Sequence, residues 1–261
     1  MSEGQKVYLK KRKIEKTLIF LVQVLLVVLF FFTWEFLAKK GIINTFIYSS
    51  PSRIIKTIGN LINSGNFFKH IFQTVYEVII SFVLGGIMGF ILAIILYEFK
   101  YLAKIMDPFL VLLNSMPKVA LGPLIIIIAG ANIKSVIVMA LLINLIITLT
   151  TIYNGLISTP SNEIKLLKSF KASKIQILYK LVIPHSFNTI ITSLKLNISM
   201  TLIGVIMGEF LVSKQGIGYL IIYGTQVFDL DLVMSGIFIL LIISFLLYEI
   251  VFLIEKKLIK N

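Results

Sequence analysis

The chain has 261 residues, of which 58% are hydrophobic and 14% charged, with a net charge of +13 and no cysteine. Soluble domains are about half apolar and about a quarter charged, so this composition, with a mean hydropathy of +0.99, places the chain in a lipid bilayer. Disulfides, thiolate metal centres and cysteine nucleophiles are excluded, and a span takes about 20 mostly apolar residues, which leaves no length for a separate soluble enzyme domain.

In chain order, a basic cluster, KVYLKKRKIEK, precedes an apolar run from Thr17 to Ala38. That run is too long for a signal-peptide core and lacks a small-residue cleavage site, so it predicts an uncleaved first span. Pro51 follows two serines and opens a segment with Ile54, Ile55, Ile58, Leu61 and Ile62 at helical spacing, which predicts an amphipathic surface helix. The second span is predicted from Ile71 to Tyr97, and the third from near Pro108 through NSMPKVALGPLIIII. The fourth covers Ser135 to Ile157, the fifth Phe187 to Leu211, and the sixth Leu232 to Ile254. The predicted class is an all-α polytopic membrane protein with about six transmembrane helices. Two regions are expected: residues 1–66, with the tail, first span and external amphipathic segment, and residues 67–261, a five-helix core whose loop spans 158–184.

Charge sets the expected orientation. With the amino terminus inside, sixteen basic residues fall on inner segments, among them Lys10, Lys11, Arg12, Lys13, Lys100, Lys104, Lys165, Lys168, Lys171 and Lys260. Seven fall outside: Lys39, Lys40, Arg53, Lys56, Lys69, Lys134 and Lys214, while Lys118 and Lys195 lie within spans. The positive-inside bias therefore predicts a multi-pass protein of the cell membrane with both termini cytoplasmic.

The inner segment between the fourth and fifth spans is TPSNEIKLLKSFKASKIQILYKLVIPHS. Pro160 and Ser161 predict a helix start, with Glu163 in the first turn where a carboxylate suits the helix dipole. At helical spacing Leu166, Leu167 and Phe170 share a face opposite Lys165, Lys168 and Ala172. A break near Ala172-Ser173 then leads to a second helix stopped at Pro184. Two readings fit: a basic helix resting on anionic lipid, or a docking helix whose apolar knob enters a groove on a soluble partner.

Polar and small residues recur every three or four positions in two spans. The fifth carries Thr189, Ser193, Asn197, Thr201, Gly204 and Gly208, and the fourth carries Asn144, Thr148, Thr151 and Gly155. Such stripes line a solvated path or let helices pack closely. Gly85, Gly86 and Gly89 are expected to serve packing. Pro117, Gly122 and Pro123 interrupt the third span, and broken backbone at membrane depth survives only beside protein or a watery cavity. That favours a path near them.

Glu35, Glu77, Glu98, Asp107, Glu209 and Glu249 are expected toward span ends, with His70 and His185 interfacial. An ion-coupled secondary transporter, the alternative class, keeps a carboxylate or histidine deep in its bundle. Glu209 is the best single candidate for a gating contact. No H-E-x-x-H and no G-x-x-x-x-G-K-[ST] occurs, so neither a zinc protease nor an ATP site of this kind is expected. A purely structural membrane subunit would need no polar stripes and no docking helix.

Four stretches carry a resemblance. Ala172, Ser173, Lys174, Gln176, Val182 and Pro184 fall at matching positions of the EAA loop of permease subunits in binding-protein-dependent ABC importers. SMPKVALGPLIIIIAG, through Pro117, Ala120, Pro123, Leu124 and Gly130, resembles the third span of the sulfonate, taurine and nitrate permease family. LIGVIMGEFLVSKQGIGYLI resembles its fifth span and outer loop, through Gly204, Glu209, Phe210, Leu211, Gly216, Gly218 and Tyr219, and SPSRIIKTI resembles the segment after its first span.

The resemblance implies a type I ABC importer permease fold and a division of labour. The subunit would pair with a second copy or a paralogue, and two cytoplasmic ATPase subunits would grip the coupling loops. An extracytoplasmic binding protein would deliver a small polar solute of the sulfonate, taurine, nitrate or thiamine-precursor type. No cofactor is expected on this chain, ATP and Mg belonging to the partner ATPase, and no nucleic acid is expected. The family's loop glycine is Lys171 here. Lys171 is therefore expected either to accept a left-handed conformation or to let the turn take another shape.

Overall fold

The computed structural model describes residues 3–259, leaving Lys260 of the inner charge set outside the described residues. Thirteen α-helices make up the described chain: α1 (Glu3–Lys39), α2 (Thr45–Tyr48), α3 (Pro51–Asn63), α4 (Phe67–Glu98), α5 (Lys100–Ser115), α6 (Gly122–Ala129), α7 (Ile133–Ile157), α8 (Ser161–Ser169), α9 (Lys174–Ile177), α10 (Ile183–His185), α11 (Phe187–Val212), α12 (Ile217–Gln226) and α13 (Leu230–Ile259). Among the described residues no strand occurs. Among the described residues five helices are long and apolar enough to cross a membrane: those over Tyr8–Lys39, Phe67–Glu98, Ile133–Ile157, Phe187–Val212 and Leu230–Leu258. A sixth crossing exists if α5 and the segment Lys118–Ala129 count as one, and that pair is bent by 89°. The architecture is the expected all-α class with about six spans.

Three predicted boundaries are corrected. The basic cluster before the first span is helical and continuous with it. The third span does not begin at Pro108. Pro108 lies inside α5, and the chain breaks later, at Met116-Pro117, where Met116 is extended with ψ 133°. A residue before proline is pushed out of the helical region, so Pro117, and not Pro108, sets the break. The second loop helix does not stop at Pro184 either. A π turn over Leu178–Val182 runs into α10, with Pro184 in its first turn, and then into α11. The π turn just before Pro184 opens the helical ladder where the proline ring and its missing N–H would otherwise disrupt it.

α4, α7 and α11 form the packed centre of the bundle. Val78, Val136, Ala140, Ile198, Leu202 and Val205 make one buried cluster between them. Lipid tails are as apolar as these side chains, so close contact rather than hydrophobic transfer holds such helices together. Gly204 meets that demand: a Cβ there would lie 3.2 Å from Ala140 Cβ and 3.3 Å from its backbone nitrogen. α13 packs on this centre through Val251 and Leu247. α1 remains exposed along most of its length and touches the bundle near its end, where Trp34 stacks on Phe238 at 5.8 Å between ring centroids.

The amphipathic segment forms as predicted. Ser50 caps α3, Pro51 occupies its first turn, and Ile54 is its buried anchor. Arg53 donates from Nε (2.9 Å) and Nη2 (2.6 Å) to Asp231 Oδ2 at the start of α13, and Ser49 Oγ donates to Asp231 Oδ1 at 2.7 Å. These contacts fix the connection after α1 against the last span.

Candidate functional site

The loop between α7 and α11 is an ordered helical hairpin at one end of the bundle, here termed the loop end. Pro160 precedes α8 in an extended conformation and Glu163 stands in its first turn. Lys171 takes a φ of +59°, the left-handed conformation that glycine would occupy more readily. Its N–H donates to Lys168 O at 2.9 Å, and Ala172 N–H donates to Leu167 O at 3.1 Å. This pair of bonds is the Schellman closure of a helix C-terminus, and the contact of Leu167 and Ala172 within one apolar cluster completes it. Ser173 then caps α9 reciprocally: Ser173 N–H donates to Gln176 Oε1 (2.8 Å), and Gln176 N–H donates to Ser173 Oγ (3.3 Å). The A-S-x-x-Q pattern is thus a stop followed by a start.

Lys171 pays for this turn in local strain, which costs a non-glycine residue about 1 kcal/mol. Lys171→Gly is expected to raise the thermal stability of the purified protein by about that amount, read as a higher melting temperature. An unchanged or lower melting temperature would show that the turn relaxes elsewhere.

The faces of α8 are sorted differently from the predicted knob. Ile164 and Leu167 turn inward, onto the cluster of Ala93, Ile152, Leu156, Ile177, Leu178 and Val182. Leu167 is therefore half-buried under the loop, apart from the outward residues of the expected knob. Leu166 (57% exposed) and Phe170 (73%) project outward, joined by Ile175 and Tyr179, each 72% exposed. Ser186 Oγ donates to Gly155 O at 2.8 Å and ties the end of the hairpin to the end of α7.

At the opposite end of the bundle a second constellation forms. His70, Thr74 and Glu77 occupy successive turns of α4 and are buried. Thr74 Oγ1 donates to Glu209 Oε1 at 2.6 Å, and Gly218 N–H donates to Glu209 Oε2 at 2.5 Å. Ile217 N–H donates to Thr74 Oγ1 (2.8 Å), Gly216 N–H donates to His70 Nδ1 (3.0 Å), and Gln73 Nε2 donates to Glu77 Oε1 (2.7 Å). Gly216 has a φ of +115°, and a Cβ there would run into the Glu209 carboxylate. The His70 ring also stacks on Tyr219.

His70 and Glu209 lie toward helix ends as expected, and the structure adds that His70, Glu77 and Glu209 are all buried against neighbouring helices, Glu77 and Glu209 at 0% exposure. The Glu209 carboxyl is tolerated there because Thr74 Oγ1 and the Gly218 N–H, in the first turn of α12, both donate to it. The i, i+4, i+7 spacing of His70, Thr74 and Glu77 was the available sequence signal. The arrangement joins the ends of α4 and α11 to the start of α12, and can act as a latch between them.

The polar stripes meet in the middle of the bundle. Asn144, Thr148, Asn197 and Thr201 are each 0% exposed. Asn144 Nδ2 donates to Ser81 O (3.0 Å) and Thr201 Oγ1 (2.6 Å), Thr201 Oγ1 donates to Asn197 Oδ1 (2.9 Å), and Asn197 Nδ2 donates to Phe82 O (3.3 Å). A Cβ on Gly85 would overlap the Asn144 amide, and one on Gly89 would overlap Thr148. Asn144, Thr148, Asn197 and Thr201 therefore knit α4, α7 and α11 within one subunit, while Thr151 and Thr189 of the same stripes stay partly exposed. Pro117 and Pro123, by contrast, are exposed at the bend between α5 and α6.

Residues 81–260 match the profile of the family described as "Binding-protein-dependent transport system inner membrane component". A "Probable ABC transporter permease protein" of Haemophilus influenzae is 28% identical over 82% of this chain and 87% of its own length. The "Formylaminopyrimidine transport permease protein ThiX" of Halalkalibacterium halodurans is 27% identical over 89% and 90%. Among solved structures, one described as an inward facing conformation of the MetNI methionine ABC transporter superposes with a TM-score of 0.64. It shares 16% identity and covers 74% of this chain and 96% of its own.

Proposed function

Because the chain belongs to the family of binding-protein-dependent transport system inner membrane components, as an ABC importer permease, we propose that it forms the path for a small polar solute and couples it to a separate ATPase. The observation that carries this is the outward apolar face of the loop hairpin. Leu166, Phe170, Ile175 and Tyr179 stand exposed on a segment rigidified by a Schellman turn and a capping box. An ordered knob transmits the closure of an ATPase pair to α7 and α11, where a loose loop would absorb it. Leu167, Lys171, Ala172, Ser173, Gln176 and Pro184 shape this hairpin, and Glu163 begins it.

Two copies, or this chain and a paralogue, complete the path. The bend at Pro117 and Pro123 leaves irregular backbone exposed at membrane depth, where only protein or a watery cavity satisfies it. A second permease covering this face supplies both. Asn144, Thr148, Asn197 and Thr201 act as the rigid seam behind the path, and the Glu209 latch with Gly216 and Gly218 holds the end facing the binding protein. The solute is a small polar molecule of the sulfonate, taurine, nitrate or thiamine-precursor type. The name of the Halalkalibacterium relative supports the last of these.

The orientation is tested first, since docking requires the loop end to be cytoplasmic. The native chain has no cysteine, so single substitutions report cleanly. Lys165→Cys is expected to react with an impermeant thiol reagent only from the cytoplasmic side, and Gln215→Cys only from outside. Both side chains are exposed and neither caps a helix. The opposite labelling of either would remove the docking assignment.

A further inference from the structure

Behind the hairpin, at the end of α4, lies a groove of about 460 Å³ that the importer reading does not use. Lys100 of α5, Lys168 of α8 and Lys174 of α9 line it, together with Tyr97, over an apolar floor that includes Ile164 and Ile177. Among the described residues, none of the three lysines takes part in an ion pair. Glu98 also lines the groove, so three cations face one carboxylate there and the lining keeps a net positive charge. The first turn of α5, which has no side-chain cap, opens at the same place and adds its partial positive charge.

The groove is separate from the docking face. Ile164 and Lys168 lie one turn apart and point into it, while Leu166 and Phe170, also one turn apart, point outward. A two-residue offset on a helix is about 200°. An ATPase seated on the knob would leave the groove open. The groove also sits at headgroup depth: Tyr97 is the penultimate residue of a span, and tyrosine favours the membrane–water interface.

We propose that this groove holds the phosphate headgroup of an anionic phospholipid of the cytoplasmic leaflet. Lys100, Lys168 and Lys174 would surround the phosphate, and Ile164 and Ile177 would receive the glycerol and first methylenes. A lipid so placed bridges the start of α5 to α8 and α9, which makes the position of the hairpin responsive to the charge of the membrane. The cytoplasmic assignment rests on the orientation proposed above.

The test is lipid retention, measured by native mass spectrometry of the full chain after extraction from vesicles with equal phosphatidylglycerol and phosphatidylcholine. Because it reads neither transport nor ATPase association, its failure is distinguishable from failure of the importer reading. The wild type is expected to retain one phosphatidylglycerol in preference to phosphatidylcholine. The triple variant Lys100→Gln, Lys168→Gln, Lys174→Gln should lose that lipid by about 100-fold. Replacing the same three with arginine should keep it, as should Lys180→Gln, Lys256→Gln, Lys257→Gln, which removes three exposed cations elsewhere on the loop end. Equal retention by the triple glutamine variant, or no preference over phosphatidylcholine, would overturn the proposal. So would displacement of the lipid by millimolar inorganic phosphate that itself binds with the same lysine dependence, because the site would then serve a soluble anion.

Discussion

Phe170→Asp is expected to abolish co-purification of the ATPase subunit and, with it, transport, while the permease itself remains folded and inserted. The ring is 73% exposed and contributes nothing to the inner cluster of the loop, so its loss leaves the hairpin intact. In a docked complex the same ring fills an apolar groove. Removing it costs about 3 kcal/mol of packing, more than a hundredfold in affinity, before the unpaired carboxylate is counted. Lys165→Ala, on another face, should weaken association only mildly and in a salt-dependent way. Leu167→Asp supplies the contrast. It strikes the cluster beneath the hairpin and should lower the melting temperature of the isolated permease, which Phe170→Asp should not. Full retention of the ATPase by Phe170→Asp would show that the outward face docks nothing, and the lipid-surface reading of the loop would take its place.

Gly216→Ala is expected to have the largest effect at the opposite end. At a φ of +115° an L side chain is strained regardless of space, and here the new methyl also overlaps the Glu209 carboxylate. Glu209 must move, giving up its bonds from Thr74 Oγ1 and the Gly218 N–H. The combined cost is on the order of 4 kcal/mol, visible as a much lower melting temperature of the detergent-purified protein and as lost transport. Gly59→Ala is the matched control, because a Cβ there meets nothing within 4 Å. A Gly216→Ala protein that melts with the wild type would mean that the latch between α4, α11 and α12 carries no stability. If such a protein also transported normally, the latch would have no role in closing that end.

Both predictions rest on features that differ in how openly the sequence displays them. The spans were legible because a 20-residue apolar run has one physical meaning, and the surface helix after Pro51 was legible from its caps and period. The hairpin could be read because its signals are local. Pro160 and Glu163 start a helix, Ser173 and Gln176 form a reciprocal cap, and Lys171 stands where the turn demands a left-handed residue. Each of these depends on neighbours within a few positions, so no tertiary knowledge is required.

The inward and outward faces of α8 needed more. Leu166 and Leu167 are adjacent apolar residues, and periodicity places both near one face. Only the position of Ile177, Leu178 and Val182 beneath the helix decides that Leu167 is half-buried against them and Leu166 is free. The stripes of the fourth and fifth spans are a similar case. Small and polar residues at helical spacing suit a watery path as well as a tight seam. The seam is decided by Gly85 and Gly89 on α4, which bring a third helix against Asn144 and Thr148.

The sequence by itself determined what composition and short-range chemistry control: a bilayer solvent, the number of spans, the ordered hairpin and the family resemblance. Tertiary structure alone decided the meeting of His70, Thr74 and Glu77 with Glu209 and the turn at Gly216, positions up to 146 residues apart in the chain. The physical reason is that a buried carboxyl is stable only where donors are supplied, and here they come from Thr74 on a distant helix and from the backbone N–H of Gly218, which no side-chain pattern records.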